Sequence, residues 1–386
     1  MERLENWVKE RMMARNEASQ RFFPRESERF AHACQNMAER FLDGGRLLAF
    51  GRGVYTTDAQ HVSVEFVHPV IVGKRALPAL DISMAFSEWI KTIVRPEDIV
   101  MGFSPPEGDP LVEEALTFAR SQGAQTFALP GNKADYSLAP PHEDPFIMQE
   151  LIEILYHTLW ETVHVFFEHR ELGREPGEAG FLYPFLGSQR QDTSGVVAEV
   201  ARSIETKAKE VEMLREKAAE EEAKQIAQAI RTMADQLSKG GKLVVFGNGG
   251  SATDANDWAL DMTFPPEGMK PYPAVSLAME PAIISALAND VGSDVIFLRQ
   301  VIAQAAEKDI VVGISTSGGS KNIIMALEEA RKRGLKTIAL LGYDGGDIVR
   351  NNLVDIPIVI RSDYVPRIQE VQASVYHIIR EGLEVL

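Results

Sequence analysis

Apolar positions along this chain fall into two alternating rhythms. Phe30, Cys34, Met37 and Phe41 stand at i, i+4, i+7 and i+11, one face of an amphipathic helix. Ile226, Ile230, Met233 and Leu237 repeat that spacing at an offset of 196. Each helical stretch is followed by a glycine pair and a short apolar run that stops at a glycine: Asp43 to Gly51 in one place, Lys239 to Gly247 in the other. Ile99–Arg120 then matches Ile310–Arg331 at an offset of 211, and Gln149 and His157 match Gln369 and His377 at 220. The chain is therefore two copies of one unit, and the growing offset gives copy two the extra loop residues. Within each copy, short apolar runs alternate with longer helical patterns, which predicts an α/β fold with a mainly parallel five-stranded sheet covered by helices on both faces. The strands expected in copy two are Leu243–Phe246, Ala274–Ser276, Ile310–Ile314, Thr337–Leu341 and Ile356–Ile360.

The stretch Glu171–Ser194 is rich in Gly and Pro and reads as the natural linker, so the expected division is a domain over 1–170, a linker over 171–195 and a domain over 196–386. Val196–Ser238 is charged, low in Gly and Pro, and predicted helical; its segment Glu205–Lys224 reads as a solvated face or a helix packing on a partner. The first twenty-odd residues are expected to form a helix with an oligomer contact. At 386 residues, 45% hydrophobic and 25% charged, the chain is long enough for two globular domains. No apolar run approaches the roughly 20 residues that span a bilayer, and the charged N-terminus does not resemble a signal peptide. The expectation is a cytoplasmic protein without a membrane partner. One cysteine, Cys34, excludes an internal disulfide and a cysteine metal cluster, and its place on an apolar stripe predicts a core position. A formal charge of −16 argues against nucleic acid as a partner.

That charge does not exclude a phosphorylated metabolite, because backbone amides and hydroxyls bind one locally. Gly247-Asn248-Gly249-Gly250-Ser251 ends an apolar run and opens a helical segment. Such a turn gathers backbone amides into one concavity, at the helix terminus where an anion is favoured. Gly313-Ile314-Ser315-Thr316-Ser317-Gly318-Gly319-Ser320 is a second loop of this kind. Two such loops at neighbouring strand ends suit one phosphate at the carboxyl edge of a parallel sheet. Copy one has lost this chemistry: Ser104-Pro105-Pro106-Glu107-Gly108-Asp109 replaces amide donors with prolines and adds carboxylates. What copy one keeps is His61 and Glu65, i and i+4 on the helix after its own glycine turn, a pair able to ligate a metal or move protons, or to be an ordinary surface ion pair. Copy two has Asp257 and Asp261 at those positions.

The motifs GNGGS, NDVGSDVIFLRQ, GISTSGGSKN, ALLGYDGG and RIQE, followed by His377, together resemble the sugar isomerase (SIS) fold of the phosphoheptose isomerases. The resemblance spans all of copy two and, more weakly, copy one, which makes the chain two tandem SIS domains. It implies an aldose–ketose isomerase that interconverts sedoheptulose 7-phosphate and D-glycero-D-manno-heptose 7-phosphate, often with bound zinc. By matching positions it implies Asn248, Gly249, Ser251, Ser315, Thr316, Ser317 and Ser320 as phosphate binders, with Asp290 and Gln369 as further substrate contacts. It implies Glu65 as catalytic base and His377 as acid, with His61, Glu65, Gln369 and His377 as the metal set. Pro366 departs from the pattern, where the best-known isomerases are expected to carry an aspartate. Members of the family complete each site with neighbouring subunits. The expectation is thus a homodimer with four SIS units and a site shared between copies. In that site copy two gives the cradle, Gln369 and His377, and copy one gives His61 and Glu65, while the complementary site with Asp257 and Asp261 is dead. The alternatives are an isomerase of another ketose phosphate and a non-catalytic SIS protein that senses a sugar phosphate or docks another protein.

Overall fold

The computed structural model describes residues 1–69, 75–170 and 193–386, so the expected linker lies outside the described residues except for its last three. The described chain divides into two compact units. Glu17–Glu210 carries copy one, and Met1–Asn16 together with Val211–Leu386 carries copy two.

In the copy-one unit the order is the long helix α1 (Glu2–Leu42, whose first residues belong to the other unit), β1 (Leu47–Gly51), α2 (Thr56–Val67), β2 (Ala79–Asp81), α3 (Phe86–Ile93), β3 (Ile99–Phe103), α4 (Pro110–Ser121), β4 (Gln125–Leu129), β5 (Tyr136–Ser137), α5 (Pro145–Arg170) and α6 (Thr193–Glu221, whose end belongs to the other unit). The strands pair in parallel in the order β2-β1-β3-β4-β5. The copy-two unit continues with α7 (Ala223–Ser238), β6 (Leu243–Gly247), α8 (Gly250–Thr263), β7 (Ala274–Ser276), α9 (Pro281–Asp290), α10 (Ile296–Gln304), β8 (Ile310–Ser315), α11 (Lys321–Lys332), β9 (Lys336–Gly342), α12 (Gly346–Arg350), β10 (Ile356–Ile360) and α13 (Val365–Gly382). Its sheet, β7-β6-β8-β9-β10, is also parallel and repeats the first topology. The predicted α/β class, the two five-stranded sheets and every strand expected in copy two are present.

Strands covered on both faces must be apolar throughout, and β1, β3, β4, β6 and β8 are buried at every position. One face of the copy-two sheet packs Val244, Phe246, Val311 and Leu341 against Ile323, Leu327 and Phe297. The copy-one sheet does the same with Leu48, Phe50 and Val100 against Phe86, Val112 and Leu116. Phe50 stacks on Phe86, and Phe246 on Phe297, at the same place in each repeat. Two polar clamps repeat as well. Asp98 accepts hydrogen bonds from the Arg46 amide and guanidinium, as Asp309 does from the Lys242 amide and ammonium. Asp135 accepts from the Thr126 amide and hydroxyl, as Asp355 does from Thr337. These carboxylates satisfy buried amides where the strands begin, which fixes the register of each sheet.

Cys34 is buried in the copy-one core, and burial pushes its thiol far above the ordinary range, so it is inert as a nucleophile. The N-terminal segment is helical as expected. Its Leu4, Val8 and Met12 are buried, and Arg11 and Arg15 pair with Glu381 of α13. The charged stretch beginning at Glu205 is not merely solvated, since Lys207 and Arg215 are buried, the first pairing with Glu161 and the second donating to Ser374. Among the described residues no helix is long and apolar enough to cross a membrane.

Candidate active site

In a sheet of order 2-1-3-4-5 the strand order reverses between the first and third strands, and ligands bind at the carboxyl ends there. In copy two these strands are β6 and β8, and the two glycine-rich loops follow them. The turn after β6 is tight enough that a Cβ on Gly247 would lie 2.2 Å from the Ser251 carbonyl oxygen. Gly249 sits at φ +59° as the N-cap of α8, with no side chain to cap the helix amides. The loop after β8 is held in shape from within: Ser315 Oγ accepts from the Gly318 amide at 3.1 Å and Ser317 Oγ from the Gly319 amide at 3.2 Å. Gly318, at φ +61°, passes so close to Gly345 that a Cβ would lie 2.2 Å from its carbonyl oxygen. Ser320 N-caps α11 without bonding its amides. Two helix N-termini whose N-cap residues bond none of the helix amides therefore open on the same edge, lined by Ser251, Ser315, Thr316, Ser317 and Ser320. That is favourable ground for a phosphate.

Asn248 and Asn322 exchange amide hydrogen bonds of 3.0 Å and tie the two loops together. Asn322 was missed in the sequence, although its position in the first turn after Ser320 marked it as a residue facing the loop. In copy one the corresponding tie is ionic, Arg52 Nη1 to Asp109 Oδ2 at 2.8 Å. The Asp109 carboxylate also caps α4 by accepting from the amides of Leu111 and Val112. Copy one thus carries a built-in anion at the helix terminus where copy two is open.

The chemistry-bearing side chains form one buried cluster in each unit, built from the same three repeat positions. In copy one, His61 and Glu65 of α2 meet His157 of α5; the two imidazole Nε2 atoms are 3.2 Å apart and Glu65 Oε1 is 3.9 Å from His61 Nε2. Tyr156 packs edge-on against the His157 ring, and Gln149 donates to Asp58 Oδ2 at 3.2 Å. In copy two, Asp257 and Asp261 of α8 meet His377 of α13: His377 Nε2 is 3.2 Å from Asp261 Oδ2 and 3.5 Å from Asp257 Oδ2. The Tyr376 hydroxyl donates to Asp257 at 2.8 Å. Asp261 thus contacts the histidine of its own copy.

Burial, reinforced by the neighbouring Asp257 charge, pushes the Asp261 carboxyl up to about 7. Its folded value exceeds the unfolded one of about 3.9, so the folded chain binds the extra proton between these values and its stability falls as pH rises through that window. Asp261→Asn is accordingly expected to flatten the fall in melting temperature between about pH 4 and 7 measured with chelator present. An unchanged profile would mean that this carboxyl titrates normally.

The donor sets of the two clusters differ. Two imidazoles and a carboxylate, with ligand atoms all within 4.8 Å of one another, fit a zinc-class ion in copy one; one imidazole and two carboxylates form the copy-two group.

The SIS domain model matches residues 208–342. A phosphoheptose isomerase of Citrifermentans bemidjiense is 45% identical over a match that covers 41% of this chain and 82% of that protein. The phosphoheptose isomerase of Geobacter sulfurreducens is 46% identical, with 42% and 85% covered. The chain belongs to the phosphoheptose isomerase family. Among solved structures, the C-terminal domain of a glucosamine-fructose-6-phosphate aminotransferase from Francisella tularensis aligns over 94% of both chains with a TM-score of 0.60 at 10% identity, a likeness of fold.

Against the family pattern, the residues expected from the sequence divide between the two units. Asn248, Gly249, Ser251, Ser315, Thr316, Ser317 and Ser320 come together at one sheet edge. Gln369 and His377 are buried on α13 in the same unit. His61 and Glu65 belong to the other unit, where His157 joins them. Asp290 lies exposed at the end of α9, bonded to Asn289. His157 was recognised in the sequence only as half of a repeated pair without a role; the structure places its ring on His61.

Proposed function

We propose that this chain, a phosphosugar isomerase by family, interconverts sedoheptulose 7-phosphate and D-glycero-D-manno-heptose 7-phosphate. The observation that carries the reading is the division of labour between the copies. Copy two has an open phosphate cradle, and copy one has a buried imidazole–carboxylate cluster with its own cradle closed by Arg52 and Asp109. Copy two has one imidazole with two aspartates where copy one has two imidazoles with a glutamate, and this difference, together with the cradle found in copy two alone, supports a site shared between copies. We take 1–170 and 196–386 as two SIS domains joined by 171–195, working as a cytoplasmic homodimer of four SIS units.

The isomerisation transfers one proton between C1 and C2 and needs no redox partner. The cradle amides and the hydroxyls of Ser251, Ser315, Thr316, Ser317 and Ser320 hold the phosphate, and Asn248 with Asn322 keeps the two loops in step. Glu65 accepts a proton from C1 while an imidazole protonates the C2 oxygen; the protonated Glu65 then returns a proton to C2 as the imidazole takes the O1 proton, which forms the aldehyde. His377 fills that role in the family pattern. His157, 3.2 Å from His61, is the second imidazole to test. Zinc held by His61, Glu65 and His157 would supply Lewis-acid stabilisation of the oxyanion.

Incubation with sedoheptulose 7-phosphate in deuterated water should give the heptose product and exchange at C1. Saturable thermal stabilisation without exchange would instead establish a sugar-phosphate sensor. Metal content gives a separate check: purified protein analysed by mass spectrometry should lose its zinc in His61→Ala and in His157→Ala and keep it in Asp257→Asn. Zinc retained in both histidine variants would remove the copy-one cluster as its holder.

A further inference from the structure

The extra residues of copy two form a helix with no counterpart in copy one. Ile82 and Leu277 are equivalent, since their amides bond the β1 and β6 carbonyl oxygens of Ala49 and Val245. The chain then proceeds directly to Ser83 and Phe86 in copy one, but in copy two Ala278–Ser293 intervenes before the equivalent Phe297. This insertion contains α9, opened by Pro281 and the Glu280 cap. Apart from the terminal Asp290 its residues are uncharged, and most are apolar, yet none of its ten residues is buried. Ile284 and Leu287 rest on the copy-two core. Ile283 beside them is exposed, as are Met279 before the helix and Val291 beyond it.

Both ends of the insertion lie at the carboxyl edge of the sheet that carries the two glycine-rich loops. It departs from β7, the neighbour of β6 at the carboxyl edge. It returns through Asp294, which is bonded at 2.5 Å to Lys321 in the first turn of α11, directly after Ser320. Gly292 at φ +117°, with open space where a Cβ would project, provides a pivot before that anchor. The copy with the open cradle has this helix; the copy whose cradle is closed by its own ion pair lacks it.

We propose that α9 is a substrate-responsive cover for the copy-two phosphate cradle, with Ile283 as a residue that closes over the bound sugar and excludes water. This rests on the isomerase reading above. A helix tied at its return by an exposed ion pair and held to the core by two side chains can shift at low cost, and its exposed apolar side chains dry the site when it does. Water exclusion matters in this reaction because a solvated enediolate exchanges its proton readily.

Hydrogen exchange of the full-length protein, with and without saturating sedoheptulose 7-phosphate, tests the proposal. The amides of residues 281–292 should slow at least tenfold with the sugar phosphate, and much less with inorganic phosphate, which fills the cradle without a sugar chain. Protection at residues 248–251 and 316–320 alone overturns the cover while leaving the isomerase reading intact. Protection nowhere overturns both. Protection of 281–292 that follows protein concentration and not ligand marks α9 as a contact between copies, and likewise overturns it. Ile283→Lys should leave the unliganded melting temperature unchanged, lower kcat about tenfold and increase C1 exchange per product formed. Unaltered partitioning between exchange and product would count against Ile283.

Discussion

Glu65→Gln should lower turnover of sedoheptulose 7-phosphate by about 10²–10⁴-fold, the contribution of a positioned general base. The substitution keeps the side chain's shape and removes the basic oxygen, so the α2–α5 packing around His61 and His157 survives. Substrate affinity, set by the cradle of copy two, should change little. The loss therefore belongs in kcat, with KM near that of the parent. Asp261→Asn is the matched control. It occupies the same repeat position, is equally buried, and touches His377 at 3.2 Å. If the proposed site takes its base from copy one, Asp261→Asn retains most of the activity. Steady-state kinetics of both proteins, with circular dichroism to verify folding, decides the matter. Full activity in Glu65→Gln would remove copy one from the chemistry; loss in Asp261→Asn alone would move the base to copy two.

Gly318→Ala should abolish measurable substrate binding. At φ +61° any side chain is strained, and the new Cβ would fall 2.2 Å from the Gly345 carbonyl oxygen. Backbone strain and overpacking each cost about 1–3 kcal/mol. The loop can escape only by shifting, and it cannot shift alone. The Ile348 amide donates to the Gly318 carbonyl oxygen and the Gly342 amide to that of Thr316. A shifted loop no longer presents its amides and hydroxyls to a phosphate. Losing two charge-assisted hydrogen bonds of about 1.5–3 kcal/mol each corresponds to an affinity loss of about 10²–10⁴-fold. Calorimetric titration and a melting curve read both effects. Gly108→Ala in copy one is the control: its φ is +83°, but the nearest atom to a new Cβ is the end of the Glu113 side chain at 3.5 Å. Only the left-handed penalty of about 1–2 kcal/mol remains there, with activity unchanged. Wild-type binding by Gly318→Ala would show that the loop after β8 is not the cradle.

The fold was legible because it depends on patterns that sequence displays directly. Apolar runs such as Ile310–Ile314 are continuous since the strands are covered on both faces, and the glycines after them mark turns that sterics demand. The repeat doubled each of these signals. The two glycine-rich loops were legible for the same reason, being local in sequence: one turn supplies Asn248–Ser251 and another Ser315–Ser320. The clusters were harder, because their partners arrive from elements far along the chain. His61 and Glu65 could be recognised as sharing a helical face, whereas nothing in spacing alone aims His157 of α5 at His61. Likewise Asp257 and Asp261 looked like residues that had lost their partner, until α13 placed His377 between them. The Arg52–Asp109 pair shows the limit from the other side. The sequence read the carboxylates of 104–109 as unfavourable to an anion, and only the structure shows that Asp109 is bound to Arg52 and caps α4.

The boundaries of the two units carry a consequence for any attempt to separate the copies. Leu4, Val8 and Met12 are buried, and Arg11 and Arg15 bind Glu381, all within the unit that carries copy two. That unit therefore draws its opening helix turns from the far end of the polypeptide, as the copy-one unit draws the start of α6 from beyond the expected linker. A gene cut at the linker would encode two fragments, each missing a piece that the other retains. The units follow 17–210 on one side and 1–16 with 211–386 on the other, so the copy-two unit is not one continuous stretch of chain and no single cut releases it whole.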